Sequence, residues 1–129
     1  MTNSFLIGKT IFGIITESEV NATLNKRVFP IAAENGTNYP FVVYKRQNVS
    51  DGDRTKDGVI NDVVSFEIVV VDNEYNRCAM LANDIRNLFG KNRIANDLMT
   101  LNYTQLVSAS EDFSSDAYVQ KLVFTTRVE

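Results

Sequence analysis

The sequence predicts an α+β fold, an antiparallel β-sheet with two main α-helices packed on one face, in the order α-(α)-β-β-β-α-β-β. Three observations predict it. Between Val59 and Val71, the residues Val64, Phe66, Ile68 and Val70 fall on one side of an extended chain while Ser65 and Glu67 fall on the other. That period of two marks a half-buried strand. Further on, Cys78, Leu81, Ala82, Ile85, Leu88 and Phe89 recur at helical spacing, with Arg77, Asn83, Asp84, Arg86 and Asn87 outside the stripe. Two alternating runs end the chain: Met99, Leu101, Tyr103, Val107 and Ala109 in the first, Tyr118, Leu122, Phe124 and Val128 in the second. A sheet with one apolar face under two helices satisfies all three patterns together.

Each element has its own signal. Asn3 and Ser4 are placed to cap a first helix running to about Glu17, with Phe5, Ile7, Ile11, Phe12, Ile14 and Ile15 as its apolar stripe. A short turn or helix follows from Ser18 to Asn25. Arg27-Val28-Phe29-Pro30 is a brief extended segment ended by a proline that cannot donate to a ladder. Ile31 to Pro40, with Asn35-Gly36 inside it, is a turn-rich connection. Phe41 to Val49 is β-branched and aromatic, hence a strand, and Ser50 to Gly58 is polar and charged, hence a solvent-exposed loop. Asp72 and Asn73 are expected to cap the second main helix and Gly90 to stop it. Glu111 to Asp116 is expected to be a polar hairpin loop between the last two strands.

A chain of 129 residues suggests one domain, residues 1–129. Hydrophobic residues at 44% supply an ordinary core, and charged residues at 22% an ordinary surface, so disorder is not expected. The net charge is −3 and the basic residues are scattered, Lys45-Arg46 and Lys91-Asn92-Arg93 being small clusters. Phosphate neutralisation needs a basic stripe, so specific nucleic-acid binding is not expected. The single cysteine, Cys78, fits a reducing compartment. Met1-Thr2-Asn3-Ser4 lacks a basic start, and the apolar run to Ile15 contains Lys9 and is too short to span a bilayer. A soluble protein made in a cytoplasm, with no membrane partner, is expected.

Catalytic chemistry finds little to work with. The chain has no histidine, which removes the commonest general base at neutral pH and the imidazole-dependent nucleophile pairs and zinc sites. Cys78 lies on the predicted buried stripe, where an apolar setting leaves a thiol inert. The acidic residues sit mainly in loops and on solvent faces. Asp53 to Ile60 partly follows the EF-hand order, with acids at the first and fifth positions and Gly58 at the sixth. Val64 then stands where a bidentate Glu is needed, and Arg54 and Lys56 repel a cation. Asn35-Gly36 and Asp57-Gly58 are turn dipeptides, not phosphate loops. Tyr39, Phe41 and Tyr44 beside Lys45-Arg46 form core and rim of a strand before they form a nucleic-acid platform. No enzyme, cofactor or metal is expected.

One ordered set of residues says more than its chemistry. Leu24-Asn25-Lys26-Arg27-Val28-Phe29-Pro30, then Ala32-Ala33, Asn35-Gly36 and Tyr39-Pro40-Phe41-Val42-Val43-Tyr44, resembles the signature of the tail-completion or tail-to-head joining proteins of long-tailed bacteriophages. The helix Leu81-Ala82-Asn83-Asp84-Ile85-Arg86-Asn87-Leu88 and the closing hairpin follow in the order of that family. The chain departs from the pattern in having Asn25-Lys26 where a glycine-containing turn often precedes the arginine, and in its longer charged loop at 50–58. The resemblance implies a virion protein, made in the bacterial cytoplasm, that forms a homo-oligomeric ring of six at the head-proximal end of the tail. Its partners would be the tail tube protein and the head-completion or connector proteins, and genomic DNA would pass through the ring without being specifically bound. In such a ring, subunit contacts are expected at Asp51, Asp53, Arg54, Lys56 and Asp57 and at Glu111 and Asp116. The alternative is a small non-enzymatic domain that binds a ligand or a regulator.

Overall fold

A computed structural model of the chain describes residues 3–129; Met1 and Thr2, where the stretch read for a leader begins, lie outside the described residues. The strand with the plainest alternation is central. In β5 (Asp62–Asp72), Val64, Phe66, Ile68 and Val70 are fully buried, and Val63, Ser65, Glu67, Val69 and Val71 are half-buried on the other face. It pairs antiparallel with β2 (Phe41–Asp51) on one side and with β8 (Ala117–Val128) on the other. β7 (Thr100–Ser114) pairs antiparallel with β8. Two three-residue strands, β1 (Val28–Pro30) and β6 (Arg93–Ala95), complete the order β1-β2-β5-β8-β7-β6. β1 runs parallel to β2, so the sheet is antiparallel except at this edge. The reason is the connection from residue 31 to residue 40, which is long enough to carry the chain back before it re-enters in the same direction.

Both main helices cover the buried face. α1 (Ile7–Thr16) sets Ile7, Ile11, Ile14 and Ile15 against β1 and β2. α3 (Tyr75–Phe89) sets Cys78, Leu81, Ala82, Ile85 and Phe89 against β5 and β8. Phe66, Phe89 and Phe124, one each from β5, α3 and β8, meet with ring centroids 5.4–5.6 Å apart. Among the described residues, no helix is long and apolar enough to cross a membrane.

Both helix starts differ from the sequence expectation, for one reason. A 3-10 turn (Ser4–Leu6) precedes α1, and Asn3 makes no side-chain cap. Buried Ser4 instead donates its hydroxyl to Asp62 Oδ2 at 2.6 Å. Asp72 ends β5 and does not flank α3; its fully buried carboxylate accepts Arg77 Nε and Nη2 at 2.6 and 2.7 Å. A carboxylate withdrawn from water must find donors, and that demand outweighs a helix cap worth about 1 kcal/mol. Phe5 also leaves the expected stripe: it is exposed, with the Arg46 guanidinium 4.1 Å above its ring.

The Asn25-Lys26 departure is accommodated without glycine. α2 (Asn21–Leu24) ends into Asn25 and Lys26, both left-handed at φ 48° and 62°. Asn21 Oδ1 accepts the Lys26 amide at 2.7 Å and helps hold the turn. Arg27 then donates to the carbonyls of Thr23 at 3.2 Å and Pro40 at 2.9 Å, tying α2 to the start of β2. In β7 the expected alternation breaks at Tyr103, whose φ of 53° accompanies an irregular register between Asn102 and Gln105. Thr104 turns inward to share a 2.8 Å hydrogen bond with Thr126, while Tyr103 and Val107 are left exposed.

Two stability measurements check this account. Phe124→Ala should lose about 3–5 kcal/mol in urea unfolding, because Phe66 and Phe89 both lose their shared partner. Lys26→Gly should leave the unfolding midpoint unchanged or raised, whereas Lys26→Val should lower it by about 1 kcal/mol or more, since a branched residue resists positive φ.

Candidate functional site

The contacts expected from sequence fall into two groups, and the fold holds them at opposite ends of the sheet. At the Asp62 end, the segment expected as a loop is an ordered extension of the β2–β5 hairpin. β3 (Arg54–Thr55) pairs with β4 (Gly58–Val59), and exposed Lys56 and Asp57 make the turn between them. Asp51 pairs with Arg54 at 3.0 Å. Asp53 accepts Asn61 Nδ2 at 2.9 Å and Arg127 Nη1 at 3.1 Å. Asn61, nearly buried, also takes the Asp53 amide on its Oδ1 at 2.8 Å, and its carbonyl takes the Gly52 amide at 2.8 Å. A Cβ at position 52 would run into the Asn61 side chain, so glycine is needed there.

At the Asp72 end, β7 runs on to Ser114, and the connection to β8 is the two-residue turn Ser115-Asp116, with φ of 53° and 62°. Both residues at positive φ are what a tight type I′ hairpin requires. The expected polar loop is therefore strand for most of its length. Glu111 accepts Gln120 Nε2 and Tyr75 Oη, each at 2.9 Å. The Gln120 bond, followed by that from Tyr75, holds the Glu111 carboxyl below its usual range, and the same Glu111 contact raises the Tyr75 hydroxyl. These bonds fasten the projecting hairpin to the first turn of α3. The length of β5 separates the two groups by about 33 Å, so they do not meet within one chain.

Sequence reasoning expected long strands able to continue a sheet into a neighbour but did not locate the open edges between these ends. β1 pairs with Val42–Tyr44 of β2 and no further, and β6 with Thr100–Asn102 of β7 and no further. Among the described residues, Lys45–Asp51 and Thr104–Ser114 have no ladder partner on their outer side. The signal available was Lys45-Arg46, a charged pair following the apolar run Phe41–Tyr44, which reads equally well as a solvated rim.

The sequence-level nucleophile candidate is packed away. Cys78 Sγ is buried and lies 3.4 Å from the Val70 carbonyl and 3.6 Å from that of Tyr118. Among the described residues, no group of three or more His, Cys, Asp or Glu side chains is gathered as a metal site requires. The hollow between α2 and α3, about 550 Å³, is open to solvent and lined by Ser18, Glu19, Thr23, Asp84 and Lys91 among others. Tyr44, from the aromatic-basic stretch, is buried in the core, while Tyr39 stacks on Phe41 at 5.8 Å.

Burial, with the Asp72 charge adding to it, pushes the Cys78 thiol up to about 11. At pH 8 about one thiol in a thousand is then ionised, and a thiol-reactive dye should label Cys78 only after denaturant is added. The unfolded chain gives up this proton more readily, so stability should be full below about pH 9 and fall as pH rises toward 11. Thermal melts of Cys78→Ala should lack that part of the alkaline decline.

No protein-family model matches the chain, and no curated protein matches it. Solved structures do match in fold, among them a chain from the virion of a native gene transfer agent (GTA) particle, with a TM-score of 0.79 and 17% identity. The likeness covers 98% of this chain and 96% of that one, so it extends over the whole arrangement of helices and strands described above.

Proposed function

We propose that this chain is a non-enzymatic structural protein of a phage or prophage-like virion, which completes the tail and joins it to the head by forming a ring at the head-proximal end of the tail. One observation carries the reading: a chain of a gene transfer agent virion shares this fold from end to end. The Arg27–Tyr44 element supports it independently, because Arg27 there ties α2 to the entry of β2, which gives the resemblance a structural basis. On this reading the protein acts as one α+β domain, made in the bacterial cytoplasm and resident at the tail end of the virion. Its partners are further copies of itself, the tail tube protein and the head-completion or connector proteins, and a ring of six is the expected assembly.

The surface suits association. Around the small hairpin, polar side chains pair with one another, as Asp51 does with Arg54 and Asp53 with Arg127. The expected contacts are Asp51, Asp53, Arg54, Lys56 and Asp57 on the small hairpin and Glu111 and Asp116 on the projecting one. They belong to segments fixed by hydrogen bonds, so little ordering opposes docking.

The test is assembly. Light scattering and negative-stain images of the purified protein, alone and mixed with tail tubes, should show rings or capped tube ends; persistent monomers that ignore tube ends would sink the reading. A narrower test reverses Lys56 and Asp57, which make no ion pair among the described residues. Lys56→Glu with Asp57→Lys should cut virion yield while leaving the melting temperature nearly unchanged, and normal yield would take the small hairpin out of the interface.

A further inference from the structure

We infer that copies of this chain associate side by side without sliding along the strands, the stepped β1 edge of one seated against the stepped β6 edge of the next. The inference rests on the self-assembly reading and specifies its surface. The steps come from the two shortest strands of the six-stranded sheet. β1 pairs with Val42–Tyr44 and widens one edge at the Asp72 end alone. β6 pairs with Thr100–Asn102 and widens the other edge at the Asp62 end alone. The sheet is therefore five strands wide at each end, β1-β2-β5-β8-β7 at one and β2-β5-β8-β7-β6 at the other. A second copy moved sideways by that width brings its β7 beside β1 and its β6 into the recess beyond β1. Each projecting strand fits where the other copy has none.

Contact across this seam is made by side chains. The Arg27 carbonyl and the Ile31 amide bond to β2, so alternation turns the backbone groups of Val28 and Pro30 away from it. Pro30 has no amide hydrogen, and its carbonyl accepts the Ala32 amide at 2.7 Å. The Val28 amide is spent on the Lys26 carbonyl at 2.8 Å. An edge blunted in this way does not take another strand, and recognition falls to shape and charge.

Charge matches at both steps in the same arrangement. At the Asp72 end, Val28 pairs with Val42, so Arg27 is level with Phe41. Phe41, Val71, Val119 and Asp112 form one row, which carries that level to the far edge. Arg27 gives Nε and Nη2 to carbonyls and has no ion pair among the described residues, which leaves Nη1 for a carboxylate. Asp112 is exposed, with one oxygen on the Phe113 amide. Around Arg27, residues 26–46 hold Lys26, Lys45 and Arg46 against Glu34 alone. Around Asp112, residues 104–120 hold Glu111 and Asp116 and no Lys or Arg.

At the Asp62 end, Arg93, Asn102, Arg127, Val63 and Ser50 form another row, and Asp51 follows Ser50. Arg93 is exposed and has no ion pair among the described residues, and exposed Asp51 has Arg54 as its partner at 3.0 Å. The neighbour thus brings Arg93 to the base of the small hairpin. Sliding that copy toward the Asp72 end would drive its β6 against the end of β1. Sliding it the other way would part Arg27 from Asp112 and Arg93 from Asp51 together. The contact joins unlike edges, so each added copy leaves one free edge of each kind, as a ring requires.

The experiment uses the full chain. Asp112→Lys, which sets a second cation before Arg27, should raise the concentration needed for assembly by about tenfold or more, while the melting curve stays in place. Ser50→Cys with Asn92→Cys, exposed residues on opposite edges at the Asp62 end, should give a ladder of covalent oligomers with a short bis-maleimide. Asn38→Cys with Asn92→Cys should not, because Asn38 lines a hollow with Asn73 at the other end; Cys78 is buried and can stay. If the parent protein assembles but Asp112→Lys does not weaken it and the Ser50–Asn92 pair gives no ladder, the stepped seam is wrong and the assembly role stands. Linked products that stop at dimers would also overturn the seam, since a repeating contact continues past two copies. If the parent protein never assembles, alone or on tail tubes, both fall.

Discussion

The contact between Phe66, Phe89 and Phe124 is the constraint on which the rest of the architecture depends. It joins the middle of β5 to the middle of β8 and seats the end of α3 on both. Because side chains alternate along a strand, this contact fixes the register of the two central strands as well as their distance. Once Phe66 lies opposite Phe124, Asp62 lies opposite Val128 and Asp72 opposite Tyr118. Each buried acid then has its partner within reach, Ser4 for Asp62 and Arg77 for Asp72. The aromatic contact supplies the apolar stabilisation, and the charges that end β5 resist sliding because each would be drawn away from its donor.

The fold was legible where one force dominated. Along their middles β5 and α3 are patterned by burial alone, so their apolar periods, 64–70 and 78–89, map onto the structure with little change. Legibility failed where two demands competed at one residue. Ser4 and Asp72 are good cap residues by type, yet each answers to a buried carboxylate. Nothing local in the chain announces a requirement that arises 58 residues away, as the Ser4–Asp62 bond does. Tyr103 has the composition of a strand interior, and the irregularity that turns it out depends on what Thr104 and Thr126 do together.

The candidate site was legible in part, and the division is again physical. Charge marked the segment 51–57 and the tip around Glu111 to Asp116, because polar residues between apolar runs reveal a hairpin. Which strands form the edges was hidden, since an edge is defined by the absence of a partner strand. β1 and β6 are three residues each, and such short strands leave no periodicity to read. Their brevity decides how much of β2 and β7 stays open, so the extent of both edges is set by two elements that the sequence barely records.

An open edge is hazardous to a soluble protein, because any strand can add to it, and proteins usually blunt such edges with charge. Here Lys45 and Arg46 follow directly where β1 leaves β2, and Glu111 and Asp112 lie along the uncovered length of β7. β1 and β6 cover opposite ends of opposite edges, so each edge is closed by three residues at one end and carries charge along the part left open.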